Sequence, residues 1–517
     1  MSAVRRLISG SASAWGRIFV TAISQVAVVP FFLLKWDLET YGIWITIQAF
    51  INVASTLDRG HNDYLEYEFL KAGKENRNLI KANLWSGINV VALMAIAELL
   101  LIAFFLFLLG SHFLIGDTKF ISKKLAGEIT WSVIIAWITW SLTNIMGLFS
   151  RCLFTFGYFP RMGWWNVVLA IITAISPLGA LLNNGGLISA TLWCFCFSLI
   201  VLLFQFIDIL RLLKKEKIGR GFVAWQTGFK NYFVSLGLSV RYFLDNFRQQ
   251  GIRILLAPLS GVTALATFTT MRTGANVALQ GLSTITNPMM PELMRFLREK
   301  DQNKTAASFD TIWLVIIVVM APFIIFLQKI MPSAFVVWTQ GKVVFNPALF
   351  AVLSISVLVY ALAQPATAVV IGNNLIRSQV MISIVTTAIL ITGLLVLIPL
   401  SGIFGAAVSL LAAEISSAIL FLLVAKKWLK QNQLQWPQKS FLLACLSIIT
   451  ATAAIAGIIC FYSSNTIILV LSFLLLFVIF RLYWRNMPAI AVTKLKSFTG
   501  PVNGLLKVFS FKIIARK

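Results

Sequence analysis

Runs of about 20 apolar residues recur from one end of this 517-residue sequence to the other. A helix of that length crosses a hydrocarbon core about 30 Å thick. Of the residues, 59% are hydrophobic and only 12% are charged, whereas soluble domains average about a quarter charged residues. No segment between the runs is long enough to form a soluble domain. The sequence therefore predicts an all-α integral membrane protein.

Charged residues and Gly, Pro or Asn breaks divide the apolar sequence into about fourteen predicted spans. Their approximate bounds are 13–34, 41–58, 85–110, 128–149, 161–182, 187–210, 231–257, 262–286, 309–330, 346–370, 378–398, 403–425, 440–461 and 464–483. Laying span 2 over span 8 aligns Asn52 with Asn276. This weak repeat predicts two six-span lobes, 1–215 and 216–430, then a pair of spans in 431–485 and a basic cytoplasmic tail, 486–517.

Lysine and arginine predict the orientation of these spans. Most of the 43 basic residues fall in segments that share a side with the N-terminus, so the positive-inside rule predicts that both termini are cytoplasmic. Lys119, Lys123 and Lys124 are the exception, because their loop lies outside. Basic segments at the membrane surface account for most of the net charge of +25, so we expect no nucleic-acid partner.

The five cysteines lie in or beside apolar spans and are interpreted as packing residues. Cys194 and Cys196 are two apart, which is the wrong spacing for a metal pair on a helix, and we expect no metal site and no cofactor. The small residues Ala12, Ser13 and Ala14 precede the first apolar run rather than follow it, so this span is predicted to be an uncleaved anchor.

One predicted span, at 231–257, carries an unusual number of charges. Arg241, Asp245 and Arg248 share one helix face at i, i+4 and i+7, and Arg253 points about 120° away from Arg241. From Arg241 to Arg253 the helix rises roughly 18 Å, more than half of the hydrocarbon core, so these residues cannot all reach one interface. Each arginine near mid-membrane costs about 2.5–3.5 kcal/mol on insertion scales. They are therefore expected to face protein or water.

Neighbouring spans offer polar residues at helical spacing, so spans 1, 2, 7 and 8 are predicted to line a basic central cavity. The substrate-binding candidates are Arg17, Gln48, Asn52, Arg59, Arg241, Arg248, Arg253, Arg272 and Asn276. The acids Glu98, Asp245 and Glu414 are candidates for ion coupling or gating, or they pair statically with the arginines. Arg17 could equally anchor its span at the interface.

A basic cavity in a membrane protein predicts an anionic substrate. The planar guanidinium fork suits phosphate because it donates paired hydrogen bonds and stays charged at physiological pH. Side-chain amides add the neutral hydrogen bonding that a sugar would need.

Two short motifs carry a resemblance to a known family. Tyr41-Gly42-Ile43-Trp44 opens span 2, and Ser55-Thr56-Leu57-Asp58-Arg59-Gly60 closes it. With fourteen spans, no soluble domain and central arginines, the chain resembles Wzx-type O-antigen or polysaccharide repeat-unit flippases, of the polysaccharide transporter family in the MOP superfamily. Members often carry Y-G-x-W and then L-D-x-G, with Arg59 here at the variable position.

The resemblance implies a transporter in the bacterial inner membrane rather than an enzyme. It implies that an undecaprenyl-pyrophosphate-linked oligosaccharide moves from the cytoplasmic to the periplasmic leaflet by alternating access, for O-antigen or similar surface polysaccharide. Coupling to H⁺ or Na⁺, contact with membrane lipids, and cooperation with polysaccharide polymerase and chain-length machinery are also implied. The sugar, the coupling ion and the oligomeric state stay open.

Three alternatives stay open from the sequence. A lipid II-type flippase would share the span count and a basic cavity. A multidrug or cation antiporter of the same superfamily usually has twelve spans and acids in its cavity. A membrane polymerase or ligase would carry a large periplasmic loop with catalytic basic residues, which the predicted outside loops are too short to provide.

Overall fold

The computed structural model describes residues 3–110, 112–116, 123–461 and 465–488. Within these ranges, the side chains of residues 3–8, 112–113, 241, 248–249, 280–281, 283–292 and 465 are outside the description. The predicted cytoplasmic tail therefore lies, beyond residue 488, outside the described residues.

The described residues are almost entirely helical and contain no strand, which confirms the predicted all-α class. The helices are α1 (Ala3–Lys35), α2 (Leu38–Ala54), α3 (Thr56–Ala72), α4 (Arg77–Leu109), α5 (His112–Ile115), α6 (Lys123–Phe154), α7 (Phe159–Leu182), α8 (Leu187–Lys215), α9 (Trp225–Ser260), α10 (Val262–Arg298), α11 (Gln302–Val315), α12 (Ala321–Trp338), α13 (Pro347–Gly372), α14 (Ile376–Gln431), α15 (Gln438–Cys460) and α16 (Asn465–Asn486). A π-helical turn, Ile316–Met320, joins α11 to α12.

Ten helical stretches in the described part of the chain are long and apolar enough to cross a membrane, so the chain is a multi-pass membrane protein. Helix α14 is 56 residues long and covers two predicted spans. The two helical segments meet at a kink, where Ser401 and Gly402 (φ +57°) leave the helical conformation. Three further predicted spans are helical without meeting those limits. Helix α2 has only 17 residues, and α9 and α10 carry the polar residues singled out above. The count of fourteen stays a prediction.

Local signals start and end these helices. The Asp37 carboxylate accepts a hydrogen bond from Thr40 N at 2.7 Å and caps α2, and Asn346 caps α13 through Leu349 N. These caps satisfy backbone donors that have no partner inside the helix. Gly261, at φ +86°, ends α9.

The chain divides into two compact units, one of residues 1–274, 334–345 and 383–409, the other of residues 275–333, 346–382 and 410–517. In the first unit, buried side chains of α3, α4, α6 and α8 form a core that includes Leu65, Phe69, Leu148 and Ile209. The second unit has a larger core that runs from α10 to α16. The predicted division into lobes at residue 215 stays a prediction.

Connections that the sequence predicts to share a side of the membrane lie together within the first unit. Lys35 Nζ donates to Asn184 Oδ1 at 3.0 Å, and Lys342 Nζ donates to the Trp36 carbonyl at 2.8 Å. These bonds join the α1–α2 connection to the α7–α8 and α12–α13 connections. The contacts agree with the predicted alternation of sides, and which side is cytoplasmic stays a prediction.

Two glycines allow close approach between helices: Gly60 between α3 and α9, and Gly42 between α2 and the start of α10. A Cβ atom on Gly60 would overlap the backbone nitrogen of Ser239, and one on Gly42 would overlap the Val262 carbonyl oxygen. Both contacts are with backbone atoms, which cannot move aside. The motif glycines of α2 and α3 therefore allow close helix packing.

Candidate functional site

An open cavity of about 420 Å³, called the polar cavity below, lies among α1, α2, α6, α7 and α8 in the first unit. Three of the predicted binding residues line it: Arg17 from α1, and Gln48 and Asn52 from α2. The other polar residues that line it are Trp44, Thr139, Trp140, Thr143, Asn166, Thr173, Thr191, Cys194 and Ser198. Helices α1 and α2 thus contribute to the lining, and α6, α7 and α8 supply the rest, where the sequence had predicted spans 7 and 8. Substrate binding in this cavity stays a prediction.

Helical spacing explains why these side chains meet. Trp44, Gln48 and Asn52 recur every four residues on α2, so they form one stripe along the helix. On α6, Thr139 and Thr143 have the same spacing. The Thr139 and Thr143 hydroxyls donate to backbone carbonyls one turn earlier in their own helix. Their oxygen lone pairs are therefore the groups available to a ligand.

The polar cavity combines one cation with amides, hydroxyls and indoles. Arg17 can donate paired hydrogen bonds to an anionic oxygen, the side-chain amides of Gln48, Asn52 and Asn166 can both donate and accept, and the Trp44 and Trp140 rings supply flat apolar surface. Such a lining suits a polar ligand that carries hydroxyl groups and a negative charge.

The polar face of α9 contacts other helices of the same unit. The Ser383 hydroxyl donates a short hydrogen bond to Asp245 Oδ1, and Asn246 Nδ2 donates to the Asn52 carbonyl at 2.7 Å. Asp245 is therefore bound by α14. The side chains of Arg241 and Arg248 lie outside the described part of the structure, so their pairing with Asp245 stays a prediction.

Arg253 and Arg59 have different surroundings. The Arg253 Nε atom is buried without a hydrogen-bond acceptor, and no acid within the described ranges forms an ion pair with this residue. Its guanidinium lies near the Tyr41 hydroxyl. Arg59 has a side chain that is 60% exposed, lies over the Tyr242 ring at 5.0 Å, and approaches Asp63 at 3.8 Å.

The remaining candidates are not among the residues that line the polar cavity. Glu98 lines a second cavity in the first unit, of about 220 Å³ and almost entirely apolar, which is called the apolar cavity below. Glu414 is buried on α14 in the second unit. Arg272 and Asn276 are one turn apart on α10, where the division between the units falls. The binding and ion-coupling roles of all these residues stay predictions.

Sequence reasoning missed a buried polar group on α3 and α6. Asp58, Asn62 and Asn144 are at most 4% exposed, and their side chains are connected by hydrogen bonds. Asp58 stands in the Leu-Asp-x-Gly motif, and Asn62 follows it by one helical turn. Two polar residues one turn apart, in a helix with a polar sequence, are the sequence signal that could have predicted this buried group.

Ion pairs connect α6 to α3 and α7 to α8. Arg151 donates to Asp63 Oδ1 at 2.6 Å and to Glu66 Oε2 at 3.0 Å, and Arg161 pairs with Asp208. Burial raises the pKa of Glu66 above its ordinary value, although Arg151 opposes the shift. These contacts join helices and lie away from the lining of the polar cavity.

By sequence, no known protein family and no curated protein matches this chain. By structure, the lipid II flippase MurJ in an inward closed conformation is similar, with a TM-score of 0.64 at 14% identity over 93% of this chain and 99% of that one. An outward-facing multidrug resistance MATE family transporter of the MOP superfamily gives 0.57 at 10% identity, over 83% and 96%. A mutant of the Vibrio cholerae MATE transporter VcmN gives 0.54 at 14% identity, over 83% and 98%. The chain has the fold of these transporters.

Proposed function

We propose that this chain is a flippase that moves an undecaprenyl-pyrophosphate-linked oligosaccharide from the cytoplasmic to the periplasmic leaflet of the bacterial inner membrane, for surface polysaccharide such as O-antigen. The observation that carries the proposal is the polar cavity of about 420 Å³, which lies among helices of which α1, α6, α7 and α8 are long and apolar enough to span a membrane. Similarity of fold to MurJ, a lipid II flippase, supports it.

The physical barrier to flipping is the polar headgroup, since the lipid tail can remain in the bilayer. A hydroxyl-rich and charged headgroup loses its water when it enters hydrocarbon, and each unsatisfied polar group then costs several kcal/mol. A cavity that presents a guanidinium, amides and hydroxyl oxygens replaces that water. In this proposal Arg17 binds a phosphate oxygen, and Gln48, Asn52 and Asn166 bind sugar hydroxyls.

The other predicted arginines have a supporting role in the proposal. Arg253 is buried with no acid partner among the described residues, so an anionic group would compensate its charge. The pyrophosphate-binding roles predicted from sequence for Arg241, Arg248 and Arg272 are kept in the proposal, and Arg59 attracts the headgroup from solvent. Alternating exposure of the site to the two sides would complete the transfer.

The test compares Arg17→Ala with Arg17→Lys and with Arg220→Ala, in which an exposed arginine of the α8–α9 connection is removed. Binding of a soluble sugar pyrophosphate to the purified protein should weaken about tenfold in Arg17→Ala, since a hydrogen bond to a charged group contributes roughly 1.5–3 kcal/mol. Arg17→Lys should recover part of the affinity, because lysine keeps the charge but loses the paired donors. Arg220→Ala should bind normally.

Flipping by the reconstituted protein distinguishes the candidate substrates. The proposal expects transfer of the lipid-linked oligosaccharide in proteoliposomes and reduced transfer in Arg17→Ala. Transfer of lipid II in preference to it would favour the lipid II-type alternative, whereas export of organic cations would favour the multidrug alternative. Equal binding by wild type and Arg17→Ala would contradict the role of the cavity.

A further inference from the structure

A chain of buried polar side chains links α3 to α6 beside the polar cavity. Asn144 Nδ2 donates to Asp58 Oδ2 at 3.2 Å, and Asn62 Nδ2 donates to Asn144 Oδ1 at 2.5 Å. Asp58 is 3% exposed and Asn62 is 1% exposed. The Asn62 side-chain oxygen is buried and receives no hydrogen bond within the described part of the chain. One acceptor of this group therefore has no donor among the described residues.

Glu98, on α4, joins this group through its carboxyl. The Asp58 and Glu98 carboxyls lie within hydrogen-bonding reach of each other, and Glu98 Oε2 is buried with no donor from any described residue. Two ionised carboxylates cannot hydrogen-bond to each other, since neither has a hydrogen to donate. One proton shared by the pair supplies the missing donor and removes the repulsion between two buried charges.

Two cations, one on α3 and one on α6, are engaged elsewhere. On α3, Arg59 lies over the Tyr242 ring, and Arg151 on α6 is held by two other acids of α3. His61 faces Ser235 of α9 at 3.3 Å, and the nearby titratable group from α9 is the phenol of Tyr232. None of the described lysines or arginines forms an ion pair with Asp58 or Glu98, so a proton is the available compensating charge.

The pair has cavities on both of its sides. Glu98 lines the apolar cavity together with Trp137. Trp140, whose indole lies beside Asp58, lines the polar cavity. Trp140 thus lies between the polar cavity and Asp58, and water that enters this cavity would have a short route for proton exchange.

We propose that Asp58 and Glu98 form a proton-binding site in which one exchangeable proton holds α4 against α3 and α6. When a hydroxide ion or another base removes the carboxyl proton, two adjacent carboxylates remain in a poorly hydrated site. Their repulsion, and their need for water, would then separate α4 from α3. Proton binding at this site does not depend on which substrate the chain moves, so it can be tested independently of the proposed function.

Infrared spectroscopy of the full-length protein in lipid tests the proposal without any substitution. A protonated carboxyl has a C=O stretching band apart from that of a carboxylate, and it shifts when the exchangeable hydrogen becomes deuterium. We expect such a band at neutral pH and its reversible loss at alkaline pH, in an amount equal to one carboxyl group per protein. A wild-type spectrum without that band would overturn the proposal.

Substitutions test whether the C=O stretching band belongs to Asp58 and Glu98. Asp58→Asn and Glu98→Gln should each remove or markedly shift it, because each leaves the other carboxyl with an amide partner. Glu75→Gln, which changes an exposed acid before α4, should leave the band unchanged. A band that persists at the same frequency in both Asp58→Asn and Glu98→Gln would belong to another residue and refute the pair.

A chemical probe covers the case in which a variant does not fold. Dicyclohexylcarbodiimide is an apolar reagent that modifies protonated carboxyls, and the apolar cavity gives it an approach to Glu98. In wild type, modification of Glu98, mapped by mass spectrometry, should be strong at neutral pH and fall as the pH rises. Modification that is absent at neutral pH, or that does not depend on pH, would count against the shared proton.

Discussion

The two units of the molecule differ in the kinds of side chain that they bury. In the second unit, one apolar core extends from α10 to α16. It includes the buried rings of Phe309 and Trp313, which contact the partly buried rings of Trp436 and Phe441. In the first unit, a smaller apolar core shares the interior with a polar cavity, a buried carboxyl pair and ion pairs between helices. Burying polar groups is costly unless they are bonded. We therefore expect the first unit to carry the binding chemistry and the second unit mainly to stabilise the fold.

Trp313→Ala tests the second unit and should give the largest effect. Trp313 is fully buried, and its indole nitrogen donates to the Leu362 carbonyl at 3.1 Å. Its truncation leaves a large void, and we expect the free energy of unfolding in detergent to fall by about 3–5 kcal/mol. Phe326→Ala, which truncates a ring of the same unit that is 46% exposed, is the matched control.

Affinity for a soluble sugar pyrophosphate should not change in the Trp313→Ala protein that remains folded. If the affinity fell with stability, the two units would not divide their roles as proposed. If Trp313→Ala were as stable as Phe326→Ala, burial of the Trp313 ring would not stabilise the second core.

Gly60→Ala compares a tight contact in the first unit with one in the second. A Cβ atom on Gly60 would overlap backbone atoms of Ser239, whereas one on Gly372 would meet the flexible end of Met294. Overpacking against backbone should lower the free energy of unfolding by about 2–3 kcal/mol in Gly60→Ala. Gly372→Ala should cost less, because Met294 can change rotamer. Thermal unfolding of the two variants measures the difference, and equal losses would show that α3 and α9 can separate slightly without penalty.

Arg151→Ala should have the smallest effect of the three, a loss of about 1–2 kcal/mol in the free energy of unfolding, because its two acids are partly solvated. It also removes the cation that opposes the raised pKa of Glu66, so that pKa should rise further. A raised pKa in the folded state favours folding below the unfolded value and loses that contribution as the pH rises through the folded value. The defect of Arg151→Ala should therefore shrink as the pH falls towards the acid range. A pH series of unfolding measurements on Arg151→Ala and Arg151→Gln checks the sign, and a defect that grows in acid would contradict it.

Hydrophobic length predicted the helical fold well, because apolar runs long enough to cross a membrane have few alternative structures. Helix ends were also predictable where the sequence contains residues that favour non-helical backbone conformations. The predicted span 346–370 stops shortly before the Asn373-Asn374 pair, and α13 ends at Gly372, with Asn374 at φ +53°. The division into two compact units depends on contacts between residues far apart in the chain, which hydrophobic patterning does not report.

The candidate site was predictable only in part. Gln48 and Asn52 were found because polar residues recur at helical spacing on an otherwise apolar span. Thr139 and Trp140 line the same cavity, yet they belong to a span whose amphipathic character is weak, so nothing in its pattern singled them out. The pairing of Glu98 with Asp58 could not be read from sequence either, because it requires the relative rotation of α3 and α4.

The first unit takes its residues from three separated parts of the sequence, and the last of them ends at Ser409. Trp338 of the middle part donates its indole hydrogen to the Val26 carbonyl on α1 at 2.8 Å. During synthesis, α1 is made long before Trp338, and the first unit lacks two of its parts until the second unit has begun to form. We therefore expect the early helices of the first unit to insert into the membrane before the helices that they contact have been made. Until then, lipid or the insertion machinery would cover the surfaces that later form these contacts. A ribosome that stalls near the middle of this message would leave a product with neither unit complete.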